Sequence, residues 1–182
     1  VAGHARGRRV LDVFANQGGF ALACAKSGAT RVQAVEASEE ACALARANAE
    51  RAGTEIEIRC TNAFDFLKSS DAEEGEYDLI ILDPPSFTKS KKALSEALRG
   101  YKEIHLRALK LLRPGGLLAT YACSHHVTWE IFHNVINSAT VDAKRTLRLV
   151  DRHSQRRDHP VIPTLPETEY LKGFLFEVMP GW

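Results

Sequence analysis

The hydrophobic positions along this chain follow two alternating patterns. Short runs rich in β-branched and other apolar residues predict strands, and between them apolar residues recur at helical spacing. The run at residues 78–82 is continuously apolar after its first residue, which is typical of a strand covered on both faces. The predicted strands span residues 9–15, 31–36, 55–60, 77–83, 117–123, 146–151 and 171–178.

Two helices are well marked between these strands. In the first, Ser38 is placed to cap the N-terminus, Glu39 and Glu40 fall in the positive first turn, and Gly53 suits the exit. One face of this amphipathic helix is predicted to carry Ala41, Leu44, Ala45, Asn48 and Ala52. A longer helix over residues 92–112 ends at Pro114-Gly115-Gly116 and carries one apolar stripe: Leu94, Leu98, Tyr101, His105, Leu109 and Leu112. His105 is therefore interpreted as a packed histidine.

The order of these elements predicts an α/β fold in one domain, residues 1–182. Strands that alternate with helices are joined by right-handed crossovers, which gives a parallel sheet with helices on both faces. The last two strands have no helix between them, so we expect an antiparallel pair at that edge of the sheet.

The composition and net charge of the chain argue against some classes of protein. The 182 residues are 45% hydrophobic and 26% charged, and 24 Lys and Arg against 23 Asp and Glu give a net charge of +1. This balance disfavours wholesale electrostatic binding of nucleic acid but leaves a local basic patch open. No apolar run approaches the roughly 20 residues of a membrane span, and the first residues lack signal-peptide features. We therefore expect a cytoplasmic protein.

The four cysteines show no CxxC spacing and lie in otherwise apolar stretches. This pattern favours reduced thiols over disulfides or a metal site, and we expect no metal. Cys24, Cys42 and Cys60 are interpreted as small buried hydrophobes. Cys123 differs because it ends a strand and is followed by polar residues, which favours catalysis over burial.

Candidate binding residues follow the first three strands, at the sheet edge where α/β folds bind ligands. Gly18 and Gly19 can bring the backbone close to a ligand at a helix N-terminus, but the spacing is not that of a dinucleotide-binding loop. Glu36 can accept hydrogen bonds from ribose hydroxyls. Asn62, with a neighbouring backbone N–H, can read the edge of adenine. Together they indicate an adenosine pocket without a pyrophosphate cradle.

The fourth strand is followed by Asp83-Pro84-Pro85-Ser86-Phe87. The two prolines restrict the backbone and create a rigid rim at which a planar base can be held. An acid, two prolines and an aromatic ring in succession indicate methyl transfer onto a base or another planar amide.

These motifs resemble those of class I S-adenosylmethionine-dependent methyltransferases, and more closely the bacterial 23S ribosomal RNA cytosine-C5 methyltransferase family. The resemblance covers nearly the whole chain. Its stretches are residues 14–20, Val35-Glu36-Ala37-Ser38, Asp83-Pro84-Pro85-Ser86-Phe87, Arg99-Gly100-Tyr101-Lys102, Cys123-Ser124, Asp158-His159-Pro160-Val161 and Tyr170-Leu171-Lys172-Gly173-Phe174.

The resemblance implies a Rossmann-like, mostly parallel seven-stranded sheet and S-adenosylmethionine as cofactor, with S-adenosylhomocysteine as product. Residues 12–19 would hold the methionine part, Glu36 the ribose and Asn62 the adenine, although the family usually has Asp at this last position. The cofactor-binding residues expected are Asp12, Phe14, Asn16, Gln17, Gly18, Gly19, Phe20, Glu36, Ala37, Asn62, Ala63, Asp83 and Pro84.

Methylation of cytosine C5 needs covalent help because this carbon is a poor nucleophile. A thiolate that adds to C6 turns C5 into an enamine carbon, and loss of the C5 proton later expels the thiol. By resemblance, Cys123 is the nucleophile, and Asp83 holds the cytosine and steadies its protonated adduct. His125 or His126 could assist the thiol or be surface residues. The residues expected at the substrate are Pro85, Phe87, Lys89, Arg156 and Arg157, with Phe87 stacking on the base and the cations on RNA phosphates.

The sequence leaves other functions open. Methylation of a ring nitrogen or an exocyclic amine of guanine or adenine would need no thiol, and a cofactor- or RNA-binding module would need no catalysis. Family members also carry an N-terminal RNA-binding domain of the PUA type that these residues lack. We therefore expect a catalytic domain that binds the cofactor but methylates ribosomal RNA poorly alone, be it naked or in a subunit.

Overall fold

A single mixed sheet organises the part of the chain that the structure, a computed structural model, describes: residues 1–69, 75–88 and 91–180. Its strands are β1 (Arg9–Val13), β2 (Arg31–Glu36), β3 (Glu57–Cys60), β4 (Tyr77–Leu82), β5 (Leu112–Ala122), β6 (Leu147–His153) and β7 (Lys172–Val178). The helices are α1 (Gly19–Lys26), α2 (Glu39–Ala52), α3 (Ala63–Lys68), α4 (Leu94–Leu111) and α5 (Trp129–Asp142), with short 3₁₀ turns at Ala2–His4, Lys91–Ala93 and Pro166–Thr168.

The strand order confirms the predicted fold. It is β3-β2-β1-β4-β5-β7-β6, with parallel pairing from β3 to β5. β7 pairs antiparallel with both β5 and β6, as expected for strands without a helix between them. Helices α3, α4 and α5 pack on one face of the sheet and α1 on the other, with α2 beside it. Within the described residues, no helix combines the length and apolar content that a bilayer crossing requires.

β5 begins earlier than predicted, at Leu112 instead of residue 117. Tyr77 pairs with Leu112 and Leu79 with Leu117, so the intervening residues of β5 form a bulge. Gly115, at φ 78°, supplies the left-handed conformation there, so the predicted helix terminator lies inside the strand. The remaining predicted strand ends lie within two residues of the observed ones.

The predicted face of α2 is confirmed in part: Ala45 is buried and Ala41, Asn48 and Ala52 are half-buried, but Leu44 is exposed. The buried residues are Cys42, Ala45 and Ala49, whereas Leu44 is 42% exposed. The small side chains at these positions allow α2 to lie close to the β1–α1 turn: a Cβ at Gly18 would sit 3.5 Å from that of Ala45. Both predicted caps of α2 are confirmed, since Ser38 accepts the N–H of Ala41 and Gly53 is left-handed.

Two other predictions concern buried residues. His105 is confirmed as a packed histidine: it is fully buried, and its ring nitrogens contact the Tyr101 carbonyl at 2.6 Å and the Thr120 hydroxyl at 2.8 Å. Burial lowers the pKa of His105 to about 4. Cys24 and Cys42 are buried, but the prediction for Cys60 is wrong, because it is exposed at the end of the edge strand β3.

Gly173 fixes how β7 approaches the site. It pairs with Tyr121 across the sheet, and a Cβ at this position would lie 2.6 Å from the Tyr121 ring. Only glycine lets the Tyr121 ring lie across the backbone of β7 at this point. The start of β7 thereby lies alongside the end of β5.

Candidate active site

A cavity of about 820 Å³ opens at the carboxyl ends of the five parallel strands, β1 to β5. It brings together most of the predicted site residues that follow different strands. Its lining consists of Phe14, Asn16, Val35, Glu36, Ala37, Ser38, Ala41, Asn62, Ala63, Phe64, Asp83, Pro84, Pro85, Phe87, Cys123, Tyr170 and Leu171. The topology therefore brings the segments that follow five strands, and the segment before β7, to one concave site.

Glu36 is held firmly at the end of β2. One carboxylate oxygen accepts the N–H of Asn16 at 2.9 Å, and the other accepts those of Ala37 and Ser38 at 2.8 and 2.9 Å. A carboxylate has about four lone-pair sites, so these bonds orient the group and leave one acceptor site for a ligand hydroxyl. Glu36 could thus take one ribose hydroxyl as it stands, rather than both.

The loop after β1 has a strained backbone next to the cavity. Phe14 and Asn16 adopt positive φ values of 65° and 49°, and Gly18 follows at 81° as the N-cap of α1. Asn and Gly tolerate this region, whereas a non-glycine aromatic residue there is unusual. The Phe14 ring is held by Phe64 and Phe87, at centroid distances of 6.4 and 6.1 Å. Packing of these three rings stabilises the turn and forms an apolar wall.

Asp12 lies beneath this loop, outside the cavity lining, and is 1% exposed. Its Oδ2 accepts the N–H of Ala21 at 2.9 Å, while its Oδ1 is buried without a hydrogen-bond partner. Burial, with a smaller contribution from Asp83 and Glu36, raises the pKa of Asp12 from 3.8 to about 7. Its observed contact anchors the start of α1.

A second cavity, of about 610 Å³, shares Phe14, Asn16 and Asp83 with the first. It is lined as well by Ala15, Gln17, Gly19, Phe20 and Ala23. The predicted residues of the β1–α1 turn therefore divide between two adjoining spaces, and Gly18 lines neither.

Asn62 has a structural role that its sequence position did not reveal. Its Oδ1 accepts the N–H groups of Phe64 at 2.8 Å and Asp65 at 3.4 Å, which makes Asn62 the N-cap of α3. In the observed conformation this oxygen is engaged in capping the helix. The hydrogen-bond donors available to a ligand at this end of α3 are the side-chain NH₂ of Asn62 and the N–H of Ala63. The first N–H groups of a helix have no intrahelical acceptors.

Asp83 and Cys123 meet at the rim. Asp83 follows β4 and Cys123 follows β5, which is its parallel neighbour in the sheet. The Cys123 thiol lies 4.0 Å from the Pro84 carbonyl oxygen, so the sulfur sits against the residue next to Asp83. Both side chains are partly exposed and line the same cavity. The predicted juxtaposition of these two residues is present.

Burial dominates the electrostatics of this pair. It raises the pKa of the Asp83 carboxyl, and it raises the pKa of the Cys123 thiol together with the nearby Asp83 charge. The ammonium of Lys172 acts in the opposite direction on the thiol. Asp83 is therefore better able to hold a proton near neutrality than an ordinary aspartate, and the thiol depends on neighbouring positive charge to ionise.

Only some of the predicted substrate residues line the cavity. Pro85 and Phe87 line the cavity, and the Phe87 ring packs 4.7 Å from that of Tyr101. Arg156 and Arg157 are exposed on the loop between β6 and β7 and do not line the cavity. Lys89 lies outside the described residues. Among the described residues, no three His, Cys, Asp or Glu side chains are grouped to hold a metal ion.

Sequence reasoning assigned no role to Tyr170 and Leu171, which close the cavity from the start of β7. Both belong to the motif Tyr170-Leu171-Lys172-Gly173-Phe174, so the motif was visible while its place in the site was not. Their position depends on the antiparallel register of β5 and β7, in which Ala122 pairs with Lys172. That long-range register has no local signal in the sequence.

The sequence model of one family, described as "S-adenosylmethionine-dependent methyltransferase", matches residues 1–177. The chain belongs to this family. The cofactor of these methyltransferases is S-adenosylmethionine. The acceptor site on Glu36, the N–H groups at the start of α3 and the Phe14 wall fit the hydroxyl, base and ring chemistry of adenosine.

Named relatives of this methyltransferase chain agree with that assignment. The ribosomal RNA large subunit methyltransferase I of Klebsiella pneumoniae (strain 342) is 39% identical over 175 residues, which cover 94% of this chain and 44% of the relative. The chain thus spans less than half the length of the curated relatives that it matches first.

Solved structures share the fold. A protein from Streptococcus mutans described as a SAM-dependent methyltransferase is 26% identical, with a TM-score of 0.84 over 97% of this chain and 46% of that chain. Another structure, of a protein described as a methyltransferase and complexed with S-adenosylhomocysteine, gives the same TM-score of 0.84 and the same coverage at 25% identity.

Proposed function

We propose that residues 1–182 form the catalytic domain of a cytoplasmic enzyme that methylates C5 of a cytosine in large-subunit ribosomal RNA, with Cys123 as nucleophile. The RNA class is supported by the name of the Klebsiella relative. The observation that carries the C5 chemistry is the position of Cys123, whose thiol lies 4.0 Å from the Pro84 carbonyl at the rim of the proposed cofactor cavity.

In this proposal, S-adenosylmethionine supplies an electrophilic methyl group when bound. Glu36 holds a ribose hydroxyl, Ala37, Asn62 and Ala63 face the adenosine, and the turn at residues 12–20 faces the methionine part. The fixed direction of the Glu36 carboxylate, set by three N–H donors, supports its role. The proposed product is S-adenosylhomocysteine.

Cys123 adds as a thiolate to C6 of the cytosine, which makes C5 an enamine carbon able to take up a methyl group. Loss of the C5 proton to a base then breaks the C–S bond and restores the aromatic ring. Asp83, whose pKa is raised by burial, holds a proton for N3 of the ring while the adduct exists. Pro85 and Phe87 form the face against which the base is held, and an apolar surface with an aromatic ring suits a flipped base.

RNA phosphates would be held by Lys89, Arg156 and Arg157 in this proposal. The exposure of the two arginines on the β6–β7 loop leaves their guanidinium groups available to a large polyanion. Their distance from the cavity lining suits contact with nucleotides that flank the target.

RNA containing 5-fluorocytosine tests this mechanism. Fluorine at C5 cannot leave as a cation, so the expected result is a covalent complex of RNA and protein, seen on a denaturing gel and mapped by mass spectrometry to Cys123. Cys123→Ala should form none. Cys60→Ser removes the other partly or fully exposed thiol among the described residues and should leave the adduct intact. Methyl transfer by the Cys123→Ala variant would favour a nitrogen target instead.

A further inference from the structure

Lys172 is a buried cation directly behind the proposed nucleophile. It begins β7, is 3% exposed, and pairs across the sheet with Ala122, the residue before Cys123. Its Nζ donates a hydrogen bond to the carbonyl oxygen of Ser124 at 2.9 Å. The ammonium therefore sits at the turn that carries the Cys123 thiol.

Burying an ammonium is costly unless nearby groups compensate for the lost hydration. Burial lowers the pKa of Lys172, while the thiol of Cys123 and the carboxylate of Glu169 raise it. The charge of Asp83 raises the pKa of the Cys123 thiol, and the charge of Lys172 lowers it. Lys172 is therefore the cation that faces Cys123 in the described structure, with Glu169 and Asp83 as the surrounding acids.

Hydrogen bonds connect Lys172 to both loops of the reacting centre. Ser124, which is 2% exposed, donates from Oγ to the Thr88 carbonyl oxygen at 3.4 Å. The Ser86 hydroxyl donates to the same oxygen at 2.7 Å. The turn after β5 and the proline-rich loop after β4 are thus tied together, with Lys172 at the end of the chain of bonds.

We propose that Lys172 is a positioning residue that anchors the Cys123–Ser124 turn through the Ser124 carbonyl and stabilises the Cys123 thiolate with its positive charge. Its use in catalysis rests on the function proposed above. Lys172 is buried and does not line the cavity, so its charge stabilises the thiolate without occupying the place of the base.

The reactivity of the thiol measures this effect without RNA or cofactor. Alkylation of Cys123 by iodoacetamide, followed across pH by peptide mass spectrometry, gives the midpoint of thiol ionisation. Lys172→Met should raise that midpoint by about one pH unit and slow alkylation near neutrality about tenfold, because only the thiolate reacts. Lys172→Arg should stay close to the unmodified protein, and Lys110→Met, an exposed position on α4, should change nothing.

Lys172→Gln separates the effect of the positive charge from that of the hydrogen bond. It removes the charge, but its amide can still donate to the Ser124 carbonyl. It also guards against misfolding of the methionine variant. We expect its midpoint to rise as in Lys172→Met. An unchanged midpoint in Lys172→Gln would contradict the proposal, as would an equal shift in Lys172→Arg. A shift without methyl transfer to RNA, even with the protein in excess over RNA, would refute the proposed function alone, while an RNA adduct without a shift would refute only the role of Lys172.

Discussion

At the scale of single residues, the site concentrates ionisable groups that are costly to bury. Asp12, Asp83, Cys123 and Lys172 all have pKa values displaced by burial toward their neutral forms. Such displacement is common where residues take part in binding or proton transfer. A charged ligand that binds near these groups can therefore change their protonation.

Asp12 gives a pH-dependent prediction at this scale. Because its folded pKa is raised from 3.8 to about 7, the folded state binds the proton more tightly, and stability from this carboxyl is lost as pH rises through that window. Asp12→Asn keeps an oxygen for the Ala21 N–H but cannot ionise. Between pH 4 and pH 8, its unfolding free energy should rise relative to the unmodified protein by about 2–4 kcal/mol.

Urea unfolding at the two pH values measures this difference. The cost of the buried amide is the same at both, so it cancels from the pH dependence. Asp158→Asn, at an exposed position, serves as the matched control and should show no such change. A constant difference between Asp12→Asn and the unmodified protein would show that Asp12 is not a strained carboxylate at neutral pH.

At the scale of elements, local sequence signals predicted which helices and strands form better than they predicted which helix face is buried or where a strand begins. The continuous apolar run of β4 and the caps of α2 are local features, and both are confirmed. On α2 the prediction was wrong for Leu44, because the small side chain of Ala45 faces the β1–α1 turn and Leu44 is left exposed. The predicted start of β5 was wrong because the strand begins before a bulge opposite Tyr77 and Leu79. That bulge depends on pairing with β4, which the local sequence does not show.

Helix α3 supplies the prediction at this scale. Its N-cap, Asn62, also lines the cavity of the candidate site, so one residue both begins a helix and faces the site. Asn62→Ala should reduce the unfolding free energy by about 1 kcal/mol, whereas Asn62→Asp should retain stability, because a carboxylate caps equally well and favours the positive helix end. Denaturant unfolding gives both values.

Asn137→Ala, in the exposed middle of α5, is the comparison for loss of an asparagine that does not cap. It should leave stability unchanged or slightly raised, since alanine has the higher helix propensity. Equal losses in Asn62→Ala and Asn62→Asp would mean that the capping bond does not hold α3 in place.

At the scale of the whole molecule, the sheet topology explains how much of the site the sequence could predict. Parallel strands place their carboxyl ends at one edge, so residues after β1, β2, β3, β4 and β5 could be expected to meet. The contribution of β7 could not, because its insertion between β5 and β6 depends on register and on the glycine at 173. That insertion places three residues beside the site: Tyr170, Leu171 and Lys172.

Release of tritium from RNA labelled at cytosine C5 distinguishes methylation of this carbon from methylation of a nitrogen. Methylation at C5 replaces the hydrogen on that carbon, so each methyl group transferred should release one tritium to water, and both signals should vanish in Cys123→Ala. The measurement is best made with the protein in excess over a large-subunit RNA fragment, so that a single turnover suffices. Methyl incorporation without tritium release, or release that persists without the Cys123 thiol, would contradict the account.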